Sequence, residues 1–121
     1  MKTYQETFAK FTRLGSRVAV YVPGTVGTAD ENTEAAEKMQ EYVAGRLSDL
    51  FGGATVTDGR GYWISEQAGL VAEYVRIVYS NTTAEDLDRH AGEILELAEH
   101  VKREMDQEAV SVEVNGALYL I

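Results

Sequence analysis

Few side chains here have the type and spacing that chemistry needs, and Glu73 is the foremost of them. It alternates with Val71, Val75 and Ile77, so a period of two predicts a carboxylate aimed, with apolar neighbours, at a helical layer. A carboxylate in such company must be paired, hydrogen-bonded or neutralised, and groups of that kind gather at functional sites. Arg60 and Gln107 are its candidate partners. The alternative is a strand-end glutamate that reaches water or ties down a bend at Asp58–Gly61.

Tyr62-Trp63 holds the chain's one tryptophan, suited to a ligand-stacking platform, an interface anchor or plain edge packing. His90 with Glu93 and Glu96 with His100 have the i,i+3 and i,i+4 spacings of weak metal half-sites, but on one helix they turn apart and read as surface histidines. Asp58-Gly59-Arg60-Gly61 looks like a phosphate loop, yet no helix follows to supply amide donors and a dipole. No serine sits in a nucleophile elbow. The absence of cysteine excludes disulfides, thiolate metal sites and cysteine nucleophiles. No metal or other cofactor is expected.

The elements that must position these groups follow from periodicity. Lys2–Arg13, anchored by Tyr4, Phe8 and Phe11, reads as an extended lead-in or edge strand, and Gly15-Ser16 as a turn. Arg17–Val22 alternates and is β-branched, a strand with Val18, Val20 and Val22 on one face and Ala19 and Tyr21 on the other; Pro23-Gly24 stops it. Thr28–Phe51 reads as a helix opened by a Thr28/Glu31 capping box, with an Ala35, Met39, Tyr42, Val43, Leu47, Leu50 stripe and a Gly52-Gly53 stop. Ala54–Ser65 is a strand with a bulge or bend expected at its glycines. Glu66–Gly69 is a hairpin loop, and Leu70–Ser80 the clearest strand. A second helix is expected over Thr82–Gln107, capped by Thr82 and Glu85, with Leu87, Ala91, Ile94, Ala98, Val101 and Met105 inward. Val110–Val114, Asn115-Gly116 and Ala117–Ile121 close the chain as a hairpin.

Strand, helix, strand, strand, helix, strand is the α+β, ferredoxin-like two-layer order, here one domain over residues 1–121 with an extra C-terminal strand. From Phe51 the chain resembles the bacterial family called domain of unknown function 3574. The resemblance rests on Phe51-Gly52-Gly53-Ala54-Thr55-Val56, Asp58-Gly59-Arg60-Gly61-Tyr62-Trp63, Gly69-Leu70-Val71-Ala72-Glu73 and Gln107-Glu108-Ala109-Val110. It implies the fold and carries no activity.

The chain has 121 residues and a net charge of −9. That field repels phosphate backbones and anionic lipid, so direct nucleic-acid or membrane binding is not expected. The polar start, Met1–Glu6, lacks a signal peptide's apolar segment, and the cytoplasm is the expected address. With two helices on one sheet face, the opposite face would carry Tyr21, Trp63, Tyr74 and Arg76 and seek cover, most simply a second copy in a homodimer or higher homo-oligomer. Non-catalytic self-association is the first expectation. A small-molecule enzyme of the dimeric α+β barrel type, with Glu73 as base, is the second. The third is an inhibitor that imitates nucleic acid to capture a basic protein, using Glu31, Glu34, Glu37, Glu41, Glu93, Glu96 and Glu99 on the helices.

Overall fold

Five strands form one sheet in the order β2-β3-β1-β4-β5, every neighbouring pair antiparallel. The structure is a computed structural model that describes residues 1–27 and 30–121. The elements are α1 (Tyr4–Phe8), β1 (Ser16–Pro23), α2 (Thr33–Phe51), β2 (Thr55–Ser65), β3 (Gly69–Thr82), α3 (Ala84–Arg89), α4 (Ala91–Glu104), β4 (Ser111–Val114) and β5 (Ala117–Leu120). This is the ferredoxin-like α+β fold with the expected fifth strand added at one edge.

The valines of β1 set the core. Val18, Val20 and Val22 are each 0 % exposed and meet Val78 of β3 and Val112 of β4 beneath the helices. Met39, Val43 and Leu47 of α2, and Ile94, Leu97, Ala98 and Val101 of α4, complete one apolar cluster. Ala36 takes the buried place in α2's first turn, while Tyr42 and Ala91 of the expected stripes are exposed.

The opening segment is not a strand. Thr3 accepts a hydrogen bond from the Glu6 backbone N–H at 3.2 Å and starts the helical turn α1, which joins no sheet. Thr3 and Glu6 have the capping-box spacing, and that local satisfaction outweighs the scattered aromatics that suggested extension. Thr28, the expected cap of the long helix, lies outside the described residues; α2 starts at Thr33, with the Asn32 side chain accepting from Ala35 N–H at 3.0 Å.

The second long helix is two. Thr82 pairs with Ser16 and stays in the sheet, so Thr83 caps α3 by accepting from Asp86 N–H at 3.2 Å. At His90 the backbone leaves helical geometry (φ −106°, ψ 10°) before α4 begins. The His90 ring bonds Glu93 at 2.8 Å and stands edge-on to Phe51, which makes this histidine a half-buried joint between helices, in place of a surface group.

Nor does β2 bulge. Eleven consecutive pairs, Thr55↔Tyr79 to Ser65↔Gly69, keep one register through Gly59 and Gly61. Neither glycine has a positive φ, so both are ordinary strand residues whose missing side chains open space above the sheet. Gly69 (φ 72°) closes the three-residue β2–β3 loop, and Asn115 (φ 50°) with Gly116 (φ 87°) forms the expected β4–β5 turn.

Candidate functional site

Strand parity decides which groups meet. Ala19 pairs with Tyr79, Tyr21 with Ile77, Gly59 with Val75, Gly61 with Glu73 and Trp63 with Val71, so all ten residues project to the face away from the helices. Tyr74 and Arg76 share parity with buried Val78 and lie on the helical side, near the strand end. The four residues expected on one open face are therefore divided: Tyr21 and Trp63 are there, Tyr74 and Arg76 are not. Glu73 moves the opposite way, from the expected helical layer to the open face.

Two halves of that face differ. Toward Ser16 the chain closes it with its own groups. The Arg17 guanidinium lies 3.5 Å over the Tyr79 ring, and the Tyr21 hydroxyl donates to Glu113 Oε2 at 3.3 Å. Burial, then the Glu113 charge and hydrogen bond, raise the Tyr21 pKa, with Arg17 pulling weakly the other way.

Toward Pro23 the face stays open as a cleft of about 360 Å³, lined by Tyr21, Gly59, Gly61, Tyr62, Trp63 and Glu73 among others. A Cβ at Gly59 would stand 3.2 Å from Val75 Cγ1 and 3.5 Å from Ile77 Cδ1, so the glycine is what leaves the floor clear. Two glycines spaced by two, in step with Trp63, were the sequence signal for a one-sided clearing.

Glu73 is half-buried, and its partner is neither Arg60 nor Gln107. Arg60 stacks over Tyr74 at 4.7 Å. The Gln107 amide donates to the carbonyls of Thr25 (3.1 Å) and Met105 (2.8 Å), which fastens the loop after β1 to the end of α4. Gly27 N–H adds a 2.8 Å bond to Met105 O. The fastened loop brings the Thr25 hydroxyl, whose one proton also faces Gly27 O at 3.4 Å, to 3.5 Å from Glu73 Oε2, the carboxylate's one hydrogen-bond contact among the described residues. Sequence reasoning missed Thr25, because only the folded loop brings it near a residue 48 positions away.

A second hollow of about 650 Å³ continues past Trp63 and Glu73, with Asp30, Glu31, Asp106 and Glu108 in its walls. Among the described residues no group of three or more histidine or acidic side chains is placed to hold a metal ion. Helical carboxylates are interleaved with cations: Glu34 with Lys38 at 3.2 Å, and Arg89 with Glu85 and Asp86. His100 stacks against Tyr42, ring centres 4.7 Å apart. No helix among the described residues is long and apolar enough to cross a membrane.

No family model matches the chain, and no curated protein matches it. Solved structures do. A phage SAM lyase in complex with S-methyl-5′-thioadenosine aligns at a TM-score of 0.64 with 22% identity, over 92% of this chain and 94% of that one. A phage SAM lyase in its apo state gives 0.62 and 20% over the same shares. The periplasmic divalent cation tolerance protein CutA from Archaeoglobus fulgidus aligns at 0.47 and 11%, over 82% of this chain and 79% of that one. At these identities the likeness is one of fold.

Proposed function

We propose that the Glu73 cleft binds S-adenosylmethionine and releases S-methyl-5′-thioadenosine from it. The observation that carries this reading is an underused, half-buried carboxylate beside Trp63 and Tyr21 in a cleft of about 360 Å³. That volume lies in the range of small-molecule sites. S-adenosylmethionine combines a flat purine, suited to stacking on an aromatic ring, with a sulfonium cation, suited to a carboxylate and to the faces of aromatic rings. Thr25, held by Gln107, steadies the carboxylate.

In the reaction, the bond between sulfur and the aminobutyryl carbon breaks and its electron pair stays on sulfur. The sulfonium becomes a neutral thioether, while an oxygen of the substrate's own carboxylate bonds to the carbon that leaves sulfur and closes a five-membered lactone, so no water is consumed. Glu73 favours the charged substrate over the neutral product, which helps the product leave. Incubating the chain with S-adenosylmethionine and separating the products by chromatography tests the reading. Stoichiometric S-methyl-5′-thioadenosine is expected, and at S-adenosylmethionine concentrations below saturation Glu73→Gln should form it about tenfold more slowly, because the charged substrate binds more weakly. No product from the wild-type chain overturns it.

Self-association through the same face is a second reading, favoured by Trp63, Leu118 and Leu120, which stand more than half exposed on or beside it. Sedimentation of the wild-type chain as an oligomer, and of Leu118→Asp/Leu120→Asp as a smaller species, is the expected result.

A further inference from the structure

The first fifteen residues contrast with everything that follows. All are exposed, Tyr4 by 70 %, Phe8 by 60 % and Phe11 by 59 %, although such rings are normally covered. Lys2, Lys10 and Arg13 against Glu6 leave this arm at +2, so the other 106 residues carry −11 of the chain's net −9. None of the ion pairs among the described residues uses an arm cation. Phe8, at the end of its short helix, and Phe11, beyond it, hold their rings 6.3 Å apart and present an aromatic surface flanked by positive charge.

One hollow of the body is the arm's complement. The cavity of about 650 Å³ combines the Trp63 ring with the carboxylates of Asp30, Glu31, Glu73, Asp106 and Glu108, and no Lys or Arg is among its described walls. Only Glu31 and Glu73 of these five have hydrogen-bond partners among the described residues, Tyr74 N–H at 3.1 Å and the Thr25 hydroxyl. The hollow adjoins the Pro23 end of β1, whereas the arm leaves the body at Ser16, the other end of an eight-residue strand. At about 3.3 Å per residue that is roughly 25 Å of separation.

We propose that the arm of one copy docks its aromatic face in the acidic hollow of a second copy. This goes beyond the ligand reading, and its test uses no ligand. Aromatic burial would supply the affinity, and opposed charge the register and the association rate. The arm lies next to Glu73 of the receiving copy, so an assembly of this kind would close the cleft with a neighbour's residues.

The cysteine-free chain makes the test direct. Ala9→Cys and Ala68→Cys variants are prepared separately, mixed at micromolar concentration and treated with a short bismaleimide. Cross-linked pairs are expected in the mixture, dropping at least fivefold in 0.5 M salt or when Lys10→Glu and Arg13→Glu are added to the Ala9→Cys chain. Far-ultraviolet dichroism shows that each variant is folded. Absence of cross-linking in the mixture overturns the proposal, and so does linkage confined to single chains when both cysteines are placed in one chain.

Discussion

One ladder of hydrogen bonds carries two unlike faces. Under the helices, Val18, Val20, Val22 and Val78 are wholly buried, and Ser80, buried there with Ser16 and Thr82, donates to Gly53 O at 2.6 Å. On the other face, the same strands hold Tyr21, Glu73, Val75 and Ile77 half-buried, with glycines where side chains would have filled the space. The lesson is a division of labour by parity: even-numbered residues of β1 secure the fold, and odd-numbered residues form a second face that the chain closes itself toward Ser16 and leaves as a cleft toward Pro23. Each face should therefore be breakable without the other.

The largest effect is expected from the helical side. Leu47→Ala removes a wholly buried side chain and should cost about 2–5 kcal/mol of unfolding free energy in urea, while ligand affinity of the folded fraction is unchanged. Gly59→Ala addresses the opposite face. Its new methyl would crowd Val75 and occupy the cleft floor, lowering affinity for S-adenosylmethionine about tenfold, or roughly 1.4 kcal/mol, with a smaller loss of stability. A stability loss as large as that of Leu47→Ala, with affinity retained, would erase the distinction between the faces.

The smallest effect sharpens the contrast between the two halves of the open face. Tyr21 has a raised pKa, so the folded chain holds the phenol proton more tightly than the unfolded chain does. The associated stability is fully present below the ordinary phenol value near 10 and is lost as pH climbs through the folded-state value. Denaturation curves above pH 10 should show this decline in the wild-type chain and a shallower one in Tyr21→Phe.

Much of this was legible in sequence because its signals are local. The alternation in Arg17–Val22, the Asn115-Gly116 turn and the helical stripes each lie within a few residues of one another. What failed depends on distant partners. A period of two says that Glu73 and Tyr74 point opposite ways, but not which of them faces the helices; the pairing of Ser16 with Thr82 sets that. Thr82 looked like a cap for the same reason, until the sheet claimed it. Gly59 and Gly61 were legible as unusual, and only their pairing with Val75 and Glu73 shows that they clear a floor instead of breaking a strand.

Binding of S-adenosylmethionine, followed by rapid mixing before turnover, and of S-methyl-5′-thioadenosine to the wild-type chain and Glu73→Gln tests the central claim most directly. A carboxylate that reads positive charge predicts that the cationic ligand loses about tenfold or more in affinity while the neutral thioether changes by less than about twofold. Equal losses for both ligands, or no loss for either, would contradict it.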